Sequence, residues 1–173
     1  MILTWDIVIE CAIALGLVLI PSIWIFIAFS PHRNNDTAQW YDKLKKPAGT
    51  PALWIIDTMW VASYVLTGVA VYIMYESFAA DPRGVTAGLI LFGIQYIVSL
   101  TYSPIFYGGE NLIGGVAVLT TILPLILWTS YEFFQVSALA AYLLIPYGLW
   151  IGFSIATNAQ MAHANLALCT KER

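Results

Sequence analysis

Charge is what this sequence has least of. Of its 173 residues, 7 are Lys or Arg and 10 are Asp or Glu, 10% in all, while 60% are hydrophobic. Mean hydropathy is +0.79. Soluble domains carry about a quarter charged residues, so an ordinary water-soluble fold is excluded. Cysteine is scarce as well: Cys11 and Cys169 stand near opposite ends of the chain without CxxC spacing, which excludes a disulfide framework and a cysteine metal site. The two histidines, His32 and His163, fall at the edges of apolar runs. No order of Ser, His and Asp suggests a triad, no glycine-rich loop suits a phosphate, and no basic stripe suits nucleic acid. No catalytic residue, metal ligand or required cofactor is assigned from the sequence.

What the chain does have is long apolar runs. Five segments, 7–29, 52–75, 85–106, 112–134 and 138–162, each approach the ~20 residues with which an α-helix crosses the hydrocarbon core. Backbone polar groups in lipid must be satisfied internally, and the alternating strands of a membrane barrel are missing. The expectation is a single all-α membrane domain over 1–173: a five-helix bundle. The first run is too long, and too acidic at its start (Asp6, Glu10), for a signal peptide, and reads as a retained helix.

The few charges are unevenly placed. With five spans, one side of the membrane holds Arg83 as its single basic residue, and the other holds Arg33, Lys43, Lys45, Lys46, Lys171 and Arg173. The bias predicts that segment 30–51 and the C-terminus face the cytoplasm. Segment 30–51 is also too long for a simple connection, and long loops in compact domains are usually functional. Its "NNDTAQWYDKL" opens on good N-cap residues and predicts one or two helical turns. Lysines alone suffice as an anchor, but Trp40, Tyr41, Pro47 and Pro51 beside Lys45 and Lys46 suggest a lid. The loops after the second, third and fourth spans are short and predict antiparallel packing of sequence neighbours.

Polar and aromatic residues inside the spans recur every three or four positions: Asp57, Trp60, Tyr64 and Gly68; Gln95, Ser99, Tyr102 and Phe106; Tyr147, Trp150, Ser154 and Asn158. Such spacing shares one helix face, and polar side chains in membranes face the bundle interior. Three striped helices predict either interhelical glue or an aromatic-walled pocket for a flat, apolar ligand. Asp57 reads as a cap, as a partner of Lys45 or Lys46, or as a proton-handling group. Pro21, Pro104, Pro124 and Pro146 interrupt four spans and predict kinks. Gly84 and Gly88 have the spacing of a dimer seam on span 3, and Gly148 and Gly152 that of a helix contact.

The motifs "WYDKLKKP" followed by Pro51 and Trp54, the Trp60/Tyr64/Gly68 series, Gln95 with "SPIFYG" at 103–108, "LLIPYGLWIGF" at 143–153 and Asn165 resemble the translocator protein family. This family is also called tryptophan-rich sensory protein or peripheral-type benzodiazepine receptor. The resemblance covers roughly 16–165. It implies a five-helix bundle, frequent dimerisation, and a pocket closed by the first loop that binds porphyrins such as protoporphyrin IX and haem, sterols and benzodiazepine-type drugs. Trp60, Phe106 and Trp150 fall on the family's pocket aromatics, and Ser154 where alanine is usual. The sequence departs from the pattern at Gly49 and Ala52 in the loop, at Ser99, Leu100 and Tyr102 in span 3, and at Ala159 and His163. At those last two positions a sterol-recognition segment would carry tyrosine and a basic residue.

The resulting expectation is a membrane receptor or carrier for hydrophobic planar ligands, with a role in tetrapyrrole or lipid transport or stress signalling. Its partners would be a small hydrophobic molecule, membrane lipids and a second copy through span 3. Trp60, Tyr64, Gln95, Ser99, Tyr102, Phe106, Tyr147, Trp150, Ser154 and Asn158 would form the pocket, and Lys45 and Lys46 would attract propionates. The resemblance implies the mitochondrial outer membrane in a eukaryote and the cell membrane in a bacterium. Two alternatives stand beside it: a light-dependent protoporphyrin IX-degrading enzyme, and a scaffold with a vestigial pocket.

Overall fold

The computed structural model describes residues 5–32 and 34–169; Arg33, Lys171 and Arg173, counted above toward the charge bias, lie outside the described residues. The chain is an integral membrane bundle of five long apolar helices, Ile7–Phe29, Leu53–Glu76, Pro82–Gly108, Leu112–Val136 and Ala138–Leu166. With the short helix in the first loop, the helices are α1 (Trp5–Phe29), α2 (Asn35–Lys43), α3 (Leu53–Glu76), α4 (Pro82–Leu100), α5 (Leu112–Val136) and α6 (Ala138–Cys169). At 1.5 Å per residue the five long ones reach roughly 28–48 Å, of the order of the hydrocarbon core or more.

Local chemistry sets the boundaries. The Asn34 side chain accepts hydrogen bonds from the amides of Asp36 (3.0 Å) and Thr37 (3.4 Å), starting α2 where the polar run predicts a turn. Asp36 in the first turn and Lys43 in the last both suit the helix dipole. Asp81 caps α4 by accepting from Gly84 N at 3.0 Å, with Pro82 in its first turn. Asn111 caps α5 by accepting from Gly114 N at 2.8 Å. Helices α1, α5 and α6 run on through Pro21, Pro124 and Pro146. Only at Pro104 does the winding change, to one π-helical turn over Pro104–Gly108.

Around the bundle the order is α1, α3, α6, α5, α4: α3 packs chiefly on α1 and α6, and α5 on α6 and α4. The expectation that short loops make all sequence neighbours packing partners holds for α4–α5 and α5–α6 but not for α3–α4, which touch only lightly. Helix α3 is drawn instead to α1, where Gly68 lets the backbones close in. A Cβ at Gly68 would stand 3.3 Å from the Leu15 Cα. The slight contacts of α4 with α1 and α3 leave a cleft between the three.

Two apolar cores fill the bundle. One, containing Tyr102, Phe106, Leu119, Ile122, Tyr147 and Ile151, lies at the lid end. The other, containing Val18, Met74, Val85, Phe92, Phe133 and Leu144, lies at the opposite end. Leu17, Ile20, Trp24, Ile97 and Leu149 face outward, as the outer surface of a bundle in lipid does. The expected dimer seam at Gly84 and Gly88 is corrected. A Cβ at Gly88 would meet Met74 and Phe133 at 3.1 Å, and one at Gly84 would meet Asp81 and Val136, so both glycines serve packing within the bundle. Gly148 does face α5, where a Cβ would stand 3.6 Å from Ile126, while a Cβ at Gly152 would enter open space.

Candidate ligand-binding site

The three striped helices bring their rings into one column at the lid end. Trp60 of α3 stacks on Tyr64 (5.8 Å between centroids, 29°) and on Tyr102 of the span-3 helix (5.6 Å, 28°). Tyr102 in turn stacks on Phe106 (5.3 Å, 15°), and Trp40 of the lid meets Phe106 edge-on at 5.6 Å. Tyr147 and Trp60 meet edge to face, 6.2 Å between ring centroids. Offset stacks and edge-on pairs at 4.5–7 Å are the arrangements ring quadrupoles favour. The pocket aromatics therefore stack on one another beneath a closed lid.

Two cavities flank this column and share Trp60 and Tyr102 as a partition. The first is the cleft between α1, α3 and α4, about 640 Å³ including its open mouth, with Ser22, Phe26, Asp57, Tyr64, Ser99 and Tyr107 in its wall. The second is a narrow space under the lid, about 380 Å³ counting the part that opens to solvent, walled by Tyr41, Thr50 and Pro51 above and by Phe106, Trp150, Ser154 and Asn158 below.

Polar groups hold these walls. Tyr102 donates its hydroxyl proton to Asn158 Oδ1 at 3.1 Å, and Asn158 Nδ2 donates to Ser154 O at 2.8 Å. Gln95 Nε2 donates to the Tyr147 hydroxyl at 3.2 Å. Gln95 and Tyr147 appear in neither lining: they brace α4 against α6 behind the wall. Ser99 donates to Tyr96 O at 2.8 Å and does line the cleft. Trp150 lines the chamber at 7% exposure, and its indole Nε1 is buried without a hydrogen-bond partner.

The lid is held at two points. Tyr41 is buried, packs on Tyr107 at 5.9 Å, and lies under the Lys46 ammonium, 4.4 Å from its ring centre. Burial, and then the Asp42 and Asp57 carboxylates, push its phenol above the ordinary tyrosine range, so it stays neutral. Farther on, Asn165 of α6 accepts from Lys45 N at 2.9 Å and donates to Lys45 O at 3.0 Å. Lys46 reaches Asp42 at 3.9 Å.

Asp57 does not pair with Lys45 or Lys46. Its partner is His32 at the end of the first span, Nε2 to Oδ2 at 2.9 Å. The two stand 25 positions apart with the lid between them, and only the tertiary structure brings them together. Tyr107 was also missed, because on a regular helix it would point about 100° away from Phe106. The π-helical turn at Pro104 lets both rings join the wall, and such turns cluster at functional sites. Ala159 and His163 are exposed on α6, away from both cavities. Among the described residues no group of three or more His, Cys, Asp or Glu is placed to hold a metal ion.

A profile of the TspO/MBR family matches residues 13–163. The chain belongs to this family. It is 28% identical over 145 residues to the human translocator protein, covering 84% of this chain and 85% of that one. Protein CrtK of Rhodobacter capsulatus is 29% identical over 126 residues, 73% of this chain and 78% of the relative. The tryptophan-rich protein TspO of Chlorobaculum tepidum is 25% identical over 158 residues, 91% and 97%. The match spans all five membrane helices and the lid, so the family relationship covers the whole candidate site.

Proposed function

We propose that this protein is a membrane receptor or carrier for flat, largely apolar ligands, with tetrapyrroles such as protoporphyrin IX and haem as the best-fitting class and drug-like planar molecules as secondary ligands. The observation that carries the reading is the self-stacked column of Trp60, Tyr102 and Phe106 under Trp40. A planar ring entering this column exchanges ring–ring contacts for ring–ligand contacts, and the lid helix must swing to admit it. The indole N–H of Trp150 favours a ligand bearing a carbonyl or carboxylate oxygen, because a buried donor left without a partner costs free energy that such an oxygen recovers. Sterols fit this reading less well, since Ala159 and His163 stand where a sterol-recognition segment would carry tyrosine and a basic residue.

In this reading the lid faces the cytoplasm, following the positive-inside bias of Lys43, Lys45 and Lys46. The membrane is the mitochondrial outer membrane in a eukaryote or the cell membrane in a bacterium. Two copies pair along the exposed Ile90, Ile94 and Ile97 stripe of α4, beside the open Gly93, rather than through Gly84 and Gly88. Titration of the porphyrin absorption band in the dark, with wild type and Trp150→Phe, tests the ligand pose. Retention of the ring with loss of the N–H should weaken binding by about tenfold, as one hydrogen bond of ~1–1.5 kcal/mol allows. Unchanged affinity removes Trp150 from the pose.

A further inference from the structure

We infer that the cleft between α1, α3 and α4 is a second binding site, selective for an apolar molecule bearing a cationic amine, with Asp57 as the specificity-determining residue. The inference stands on the cleft alone and does not depend on planar ligands entering the chamber under the lid.

Asp57 stands one turn into an apolar helix, at the wall of the cleft, with its side chain 23% exposed. A carboxylate at such depth is costly and calls for a partner. Among the described residues no Lys or Arg lies within ion-pair distance of it, although Lys45 and Lys46 are close in sequence. Its partner is His32, whose side chain is 50% exposed and whose pairing is accordingly weak and replaceable. Below Asp57 the wall continues through Trp60 and Tyr64, roughly 10 Å along the helix at 1.5 Å per residue. The lining also carries the hydroxyls of Ser22, Ser99 and Ser103; Ser22 bonds to the Val18 carbonyl (2.7 Å) and the Tyr96 hydroxyl (3.0 Å), and Ser99 donates to the Tyr96 carbonyl (2.8 Å). The cleft thus offers a largely apolar slot whose single charged group, Asp57, stands at one end with aromatic faces beside it. An ammonium there replaces His32 on Asp57 and lies against Trp60 and Tyr107, gaining a charge-assisted hydrogen bond and cation–π attraction. A carboxylate in the same slot meets Asp57 as a like charge.

A matched set tests this: 2-(1-naphthyl)ethylamine, 1-ethylnaphthalene and 3-(1-naphthyl)propionate, titrated calorimetrically into the full chain in maltoside micelles at neutral pH. The expected result is an amine bound at least tenfold more tightly than the neutral analogue, with the carboxylate weakest. Asp57→Asn should bring the amine-to-neutral ratio to about one. His32→Ala leaves the carboxylate and removes its competitor, so it should raise the ratio several-fold, and it serves as the test if Asp57→Asn does not fold. Equal binding of amine and neutral analogue by wild type overturns the proposal. So does an unchanged ratio in Asp57→Asn, or a lower ratio in His32→Ala. A free amine and a lipid amine share this chemistry. Repeating the titration in discs containing phosphatidylethanolamine separates them: amine selectivity that persists assigns the cleft to free amines, and selectivity lost only there assigns it to the lipid headgroup.

Discussion

The side-chain amide of Asn165 pairs with the backbone of Lys45 as a neighbouring strand would, accepting from its N–H at 2.9 Å and donating to its C=O at 3.0 Å. One residue near the end of α6 thereby fixes the exit of the lid, 120 positions earlier in the chain. The same Nδ2 also donates to Met161 O at 2.7 Å, which orients the amide. The lid is therefore closed by specific bonds at its exit and by ring packing of Trp40 and Tyr41 at its centre.

Asn165→Ala should loosen the lid without unfolding the bundle. The bonds are solvent-exposed, so about 1 kcal/mol is at stake, roughly a fivefold shift toward the open lid. Amide hydrogen exchange of residues 35–45 should accelerate accordingly, while α5 exchanges as before. Unchanged exchange in the lid would show that ring packing alone holds it.

The Gln95–Tyr147 bond should contribute to stability rather than to ligand contact. Gln95→Leu leaves the buried Tyr147 hydroxyl without its donor, and interhelical hydrogen bonds in membranes are worth about 0.6–2 kcal/mol. The expected outcome is a lower unfolding midpoint in detergent with porphyrin affinity changed less than threefold. A double-mutant cycle with Tyr147→Phe should return a coupling of the same size.

Gly115→Ala should disturb the site from behind. A Cβ at Gly115 would stand 2.5 Å from Phe106 Cδ2, so the Phe106 ring must shift off Tyr102. Overpacking of this kind costs about 1–3 kcal/mol. Both a lower unfolding midpoint and weaker ligand binding are expected; a midpoint within error of wild type would mean that Phe106 relocates freely.

The five spans and the lid were legible because length, hydropathy and cap residues are local properties. Trp60, Tyr64, Tyr102, Phe106, Trp150, Ser154 and Asn158 were legible because a 3.6-residue period marks a shared face before any neighbour is known. Other features depend on what faces what. Gly84 and Gly88 read as a seam between molecules until Met74 and Phe133 are found against Gly88. Gln95 and Tyr147 carry the same stripe as the pocket residues yet bond to each other behind the wall. The His32–Asp57 pair and the entry of Tyr107 required, respectively, a chain reversal and one turn of altered helical winding.

The central claim is that planar ligands bind in the ring column under the lid, and tryptophan fluorescence tests it most directly. Purified protein in detergent is titrated with protoporphyrin IX in the dark, as wild type and with Trp60→Ala and Trp150→Ala. The account predicts saturable quenching in wild type and at least tenfold weaker binding in both variants, with Trp54→Ala, exposed on the outer face of α3, binding as wild type. Quenching that never saturates, or affinities unchanged by the loss of Trp60 and Trp150, would contradict it.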